Sequence, residues 1–170
     1  MNIAKRYLDL CLFRIGPADM PVSGGLLQLT LLAYFGIGIA ISHIDNTWMP
    51  SVISSLADTL FMVIAIRLML NFKQLQARFQ QTLTALAGAG AVLGLISLPI
   101  MRWFYHMDEA LRASSFAMLL VIVLTFWSLM ITAHIFRHAL DIKSNTAAML
   151  TIIYTVLSLI ILGLTLSGVA

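Results

Sequence analysis

Five long apolar segments dominate this chain of 170 residues. Each is close to the ~20 residues that an α-helix needs to cross the ~30 Å hydrocarbon core of a bilayer. Hydrophobic residues make up 61% of the chain and charged residues only 10%, whereas soluble domains carry about 25% charged residues. The chain therefore has too few charges to cover a water-facing surface. The predicted spans are residues 25–43, 50–70, 83–104, 114–136 and 147–168.

The sequence thus predicts an all-α fold, an integral membrane bundle of five transmembrane helices over residues 25–170. Residues 1–24 are expected to form a cytoplasmic, interfacial segment and a hinge. One face of its predicted helix carries apolar side chains and the other carries charges, as in helices that lie in the membrane interface. Lys5 and Asp9 are one helical turn apart and can pair. The apolar face consists of Ile3, Tyr7, Leu10 and Cys11, and Gly16-Pro17 ends the helix.

The distribution of basic residues predicts the orientation. With a cytoplasmic N-terminus, the outer side holds only Arg102 and Arg112, and the other eight Lys and Arg residues lie inside. We therefore expect a multi-pass protein of the bacterial inner membrane with a periplasmic C-terminus. The basic residues lie scattered beside the spans, which argues for membrane lipids and against nucleic acid as partners. The residues expected to contact lipid headgroups are Lys5, Arg6, Arg14 and Arg67.

Asp58 is the main candidate for chemistry, because it lies about eight residues, or ~12 Å, into the second predicted span. A carboxylate near the bilayer centre costs ~2.5–3.5 kcal/mol on insertion scales, so it is expected to face protein or water. Ser51, Ser54 and Ser55 lie above it and extend the polar stripe to the outer surface. The stripe is typical of a proton, ion or substrate path, and also of a hydrogen-bonded Asp that joins helices.

Partners for Asp58 are expected on the fourth and fifth spans, which carry hydroxyls at helical spacing. Such hydroxyls often join transmembrane helices. Small residues of the third span, around Gly88 and Gly90, predict close helix packing. The hydroxyl rows are Thr125, Ser128 and Thr132 on the fourth span, and Thr151, Thr155 and Ser158 on the fifth.

Other candidates for chemistry are weaker. His134, His138 and Asp141 share one helix face and form a marginal metal motif, without the adjacent Glu of a zincin. His43 and His106 are both expected at the outer surface, where they could act as paired axial haem ligands, but the nearby Trp103 and Tyr105 indicate an interfacial belt instead. We therefore predict no metal, no cofactor and no catalytic residue.

The order of features resembles the Yip family, five-span membrane proteins with a cytoplasmic N-terminus. The resemblance implies a non-enzymatic protein that works through partners or membrane organisation, and eukaryotic members bind small GTPases. It is carried by Gly16-Pro17, Thr82-Leu83-Thr84-Ala85-Leu86, Leu98-Pro99, Trp127-Ser128-Leu129 and the helix after Ser144.

Two functional hypotheses follow. The first is a Yip-like scaffold, adaptor or accessory subunit that binds a protein partner or forms a homo-oligomer in the membrane. The second is a small transporter or ion- or proton-conducting subunit, in which Asp58 is the titrating group and the three serines form its outer approach.

Overall fold

The computed structural model describes residues 3–108 and 116–168, and in this part of the chain every regular element is helical. The all-α prediction is confirmed, and five helices are long and apolar enough to cross a membrane. The start of the fourth predicted span, 114–115, and most of the preceding loop, including Arg112, lie outside the described residues. The helices are α1 (Ile3–Cys11), α2 (Gly24–Ser42), α3 (Trp48–Phe72), α4 (Phe79–His106), α5 (Phe116–Leu140) and α6 (Ser144–Ser167).

Three helices end at residues in the left-handed backbone conformation, in which glycine is usual. The three residues are Phe13, Gln74 and Asp141, with φ of 60°, 56° and 51°. Each is followed by an N–H that donates to the carbonyl five residues earlier, the bond that closes a Schellman motif and satisfies a terminal carbonyl. These bonds join Arg14 to Asp9, Leu75 to Leu70 and Ile142 to Arg137, at 2.9, 2.9 and 3.2 Å.

The five long helices form a closed ring. Around the ring, the order of the helices is α2, α3, α6, α5 and α4, and each helix packs against the next. Helix α4 packs against α2 and thereby closes the ring. We call the end that carries residues 43–47 and the C-terminus of α4 the open end. The end with the turns after α1, α3 and α5 is the closed end. In the predicted topology, the closed end faces the cytoplasm.

An apolar core seals the ring toward the closed end. Met62, Ile66 and Leu70 of α3 are almost completely buried there, as are Ile131 and Phe136 of α5. Side chains packed to this extent leave no room for water between the helices. Large apolar side chains on the outside of the ring are exposed, as expected of helices that face lipid.

Helix α1 packs against α4, next to Gly88. A Cβ atom at Gly88 would lie 2.0 Å from Tyr7 Cε1, so only glycine leaves room for this ring. At 100° per residue, Gly88 lies about 200° from Gly90, which faces the ring interior. Helix α1 therefore covers the outer side of α4. Tyr7, Leu10 and Cys11 are its buried residues, which confirms most of the predicted apolar face, while Ile3 is exposed.

The ion pair that the spacing of Lys5 and Asp9 allows in α1 does not form. In the described part of the chain, Asp9 pairs with Arg14 at 3.5 Å and not with Lys5. The Schellman turn explains the choice, because it folds Arg14 back onto the last turn of the helix.

Candidate functional site

Asp58 joins three helices of the ring. Its Oδ2 accepts a hydrogen bond from Tyr34 Oη of α2, and its Oδ1 accepts one from Ser158 Oγ of α6, both at 2.5 Å. Such distances are typical of a hydroxyl that donates to a charged oxygen, about 2.5–2.7 Å. From the open end of its own helix, each of the three residues lies about 12–15 Å deep at 1.5 Å per residue. The three side chains therefore meet near the middle of the predicted bilayer.

The serine stripe of α3 lies along the contact between α2 and α3. Ser55 Oγ donates to the carbonyl of Phe35 at 2.8 Å, and Ser54 Oγ lies 3.3 Å from Ser42 Oγ. Ser51 donates back to the carbonyl of Thr47, in the turn before its own helix. Ser54 and Ser55 therefore line the space above Asp58, whereas Ser51 does not.

A cavity of about 650 Å³ fills the ring above Asp58 and extends to the open end. Asp45 and Asn46 line its mouth, Asp58 and Ser158 line its middle, and Met62 closes its base against the apolar core. The volume is in the range of small-molecule sites, about 300–1,000 Å³. Within residues 3–108 and 116–168, the ring therefore encloses a space that is open at one end and closed by apolar side chains at the other.

Small residues of α2 and α4 shape the cavity wall. A Cβ atom at Gly90 would lie 2.6 Å from the Tyr34 ring, and one at Gly94 would lie 2.6 Å from Ile37 Cγ2. The absence of side chains at these two positions lets α2 lie close to α4. It also leaves room for the Tyr34 ring, whose hydroxyl can then reach Asp58.

The hydroxyl rows predicted to serve Asp58 have different roles. Ser158 binds it directly, as predicted for the fifth span. The hydroxyls of Thr125, Thr132 and Thr151 donate to carbonyls four residues earlier in their own helices, at 2.8–2.9 Å. Thr125, Ser128, Thr132 and Thr155 nevertheless line the cavity. The sequence does not point to Tyr34, because one tyrosine in an apolar span has no pattern that separates it from core aromatics.

The four residues predicted to contact lipid headgroups have different environments. Lys5, Arg14 and Arg67 are exposed. Arg6 donates to the carbonyl of Asp19 at 2.6 Å and thereby ties α1 to the hinge. The protein itself therefore uses at least one of these guanidinium groups as a structural donor.

The histidines of α5 contact the N-terminal segment. His134 Nε2 lies 3.1 Å from the carbonyl oxygen of Ile15, and its ring centre lies 4.5 Å from that of His138. Within residues 3–108 and 116–168, no three metal-ligating side chains form a group that could hold an ion, so His134, His138 and Asp141 do not form one. At the open end, His43 stacks against Trp48, with ring centres 4.1 Å apart.

Cys11 lies in the contact between α1 and α5, where its carbonyl oxygen accepts a 3.0 Å hydrogen bond from Trp127 Nε1. Burial raises the pKa of the Cys11 thiol to about 11. The thiol therefore stays protonated at neutral pH, and a protonated thiol is a poor nucleophile.

No family model matches the chain, and neither a curated protein nor a solved structure matches it significantly.

Proposed function

We propose that this protein is a small membrane carrier. In this proposal a solute enters the cavity from the open end and is bound at Asp58. The observation that carries the proposal is the position of Asp58, a carboxylate near the middle of the predicted bilayer that lines a cavity of about 650 Å³, which the described residues leave open at one end. Intramembrane carboxylates are costly and commonly mark substrate or proton pathways.

The hydrogen bonds of Asp58 suit a group that changes its charge during a cycle. An ionised carboxylate offers about four acceptor positions, and Tyr34 and Ser158 use one on each oxygen. The remaining positions are available to a solute or to a proton. Exchange of one for the other would couple solute movement to proton movement at a single side chain.

The sealed base favours a carrier over a channel. Met62, Ile66 and Phe136 are buried below Asp58, so an ion that enters from the open end meets a dry apolar barrier. Transport then requires a second state in which this barrier opens toward the closed end. Carriers are expected to alternate between two such states, one open to each side of the membrane.

Proteoliposomes that contain a pH-sensitive dye test this proposal. Inward gradients of sodium, potassium, tetraethylammonium, neutral sugars and amino acids are applied in turn, and the luminal pH is recorded. We expect at least one solute to change the luminal pH in vesicles with the wild-type protein. Asp58→Asn should abolish the change.

Asp45→Asn is the matched control, since it removes a carboxylate from the cavity mouth but leaves the mid-membrane group in place. It should retain most of the response. If wild-type vesicles behave like protein-free vesicles for every solute, or if Asp58→Asn responds like the wild type, the carrier proposal is wrong.

A further inference from the structure

The described residues that line the cavity above Asp58 carry charges of one sign only. Asp58 and Asp45 are among the described residues that line it, and none of those residues is Lys, Arg or His. A cleft with low-dielectric walls and charge of one sign concentrates counter-ions. The cavity is thus electrostatically suited to a cation and unsuited to an anion.

The walls of the cavity are predominantly apolar. Ile37 and Ile41 line it from α2, Leu93 from α4, Leu124 from α5 and Leu162 from α6. An inorganic cation would have to give up hydration over most of this wall, where hydroxyl ligands such as those of Ser55 and Ser128 are scattered between apolar side chains. A cation with hydrocarbon substituents instead gains about 25 cal/mol for each Å² of apolar surface removed from water.

Aromatic rings lie near the carboxylate and also favour an organic cation over an inorganic one. Tyr34 and Tyr154 both line the cavity, and Tyr154 is fixed by stacking on Phe61, with ring centres 5.2 Å apart. Faces of aromatic rings attract organic cations. The site therefore combines a half-buried carboxylate, aromatic rings and apolar walls, within a volume that suits a molecule much larger than a bare ion.

We infer that the ligand of this cavity is a monovalent organic cation with apolar substituents, held at Asp58. The inference rests on the proposed carrier function and specifies its substrate class. In the complex, the cationic centre faces the carboxylate between Tyr34 and Ser158, and the substituents contact the apolar walls.

Tetraphenylphosphonium and tetraphenylborate test this inference, because they share shape and hydrophobicity but carry opposite charges. Equilibrium dialysis of the purified protein in detergent should show saturable, one-site binding of the phosphonium. The borate should show only the non-saturable uptake seen with empty micelles. Binding of both ions, or of the borate alone, would overturn the inference.

Variants of Asp58 test whether the phosphonium binds at this carboxylate. Asp58→Asn should weaken phosphonium binding by about 30-fold or more, as expected when one partner of a desolvated charge pair is removed. Asp58→Glu retains the charge and should bind within about 10-fold of the wild type, a difference of about 1.4 kcal/mol. The Glu variant and the two wild-type measurements decide the outcome even if Asp58→Asn fails to fold.

The vesicle experiment separates the failure of this inference from the failure of the carrier proposal. A pH response to tetraethylammonium, absent for sodium, potassium, sugars and amino acids, supports both. A response to a neutral or inorganic solute alone supports the carrier and refutes the organic cation as its substrate.

Discussion

Replacement of Gly88 by alanine should weaken the docking of α1 on the bundle. The added Cβ would lie 2.0 Å from Tyr7 Cε1 and 2.6 Å from two further ring atoms, far inside contact distance. Rotation of the ring cannot relieve the clash, because Tyr7 is 7% exposed and packed on all sides. Helix α1 must therefore move away from α4. Overpacking of this kind costs about 1–3 kcal/mol.

The loss of stability in Gly88→Ala should depend entirely on the presence of the Tyr7 ring. In a Tyr7→Ala background, the space next to Gly88 is empty, and Gly88→Ala should become neutral or slightly stabilising, because alanine favours the helix by about 0.5–1 kcal/mol. The double-mutant cycle should thus give a coupling energy of about 1–3 kcal/mol. Gly36→Ala is the matched control, since nothing lies within 4 Å of its Cβ position.

Thermal unfolding in detergent can be followed with a fluorogenic maleimide that reacts with Cys11, which is buried on α1 and is the only cysteine of the chain. Gly88→Ala should lower the midpoint temperature of unfolding by roughly 2–12 °C, because each kcal/mol corresponds to about 2–4 °C for a chain of this size. Gly36→Ala should not lower it. Equal transitions for Gly88→Ala and the wild type, or the same effect with and without the Tyr7 ring, would refute the docking of α1 at this position.

Three further predictions concern single side chains. Tyr34→Phe removes one donor from Asp58 and should lower stability by about 1–2 kcal/mol, measured by the same unfolding assay; an unchanged transition would contradict the hydrogen bond. Gly38→Ala places a Cβ 2.5 Å from Ser55 Oγ and should cost about 1–3 kcal/mol, which Ser55→Ala should largely restore. Maleimide labelling of Cys11 in the folded protein should rise about tenfold per pH unit between pH 7 and 10, because burial holds the thiol pKa at about 11; a plateau near pH 9 would indicate an ordinary thiol.

The sequence was sufficient to predict the helices, because spanning a bilayer requires long apolar segments. Each predicted span overlaps its helix closely; for example, the first span, 25–43, corresponds to Gly24–Ser42. The third span extends further than predicted, and α4 begins at Phe79. Its polar first turn is stabilised by hydrogen bonds from Gln81 to the carbonyls of Ala18 and Met20, and hydropathy does not report such contacts.

The candidate site was predictable in part. Asp58 stood out because charges are costly in a membrane, and the spacing of hydroxyls on the fifth span pointed to Ser158. The bond from Tyr34 and the contact between Tyr7 and Gly88 depend on which helices are neighbours in the ring. That order comes from side-chain packing between segments distant in sequence, and helical periodicity carries no information about it.

Some sequence-based hypotheses stay predictions. These are membership of the Yip family, the scaffold or adaptor function, the bacterial inner membrane and the orientation of the termini. Purification from native membranes in mild detergent tests the adaptor hypothesis, which requires a stoichiometric protein partner or a defined homo-oligomer.

Access of water to the level of Asp58 from the open end is the central claim, and thiol labelling tests it most directly. Ser128 lines the cavity, whereas Met130 on the same helix is 60% exposed on the lipid side. Each is replaced by cysteine in a Cys11→Ala background, and a membrane-impermeant thiol reagent is added to each face of the membrane in separate experiments. We predict that Ser128→Cys is labelled from one face and Met130→Cys from neither. An unlabelled Ser128→Cys that reacts only after the membrane is dissolved would contradict a cavity that is open at one end.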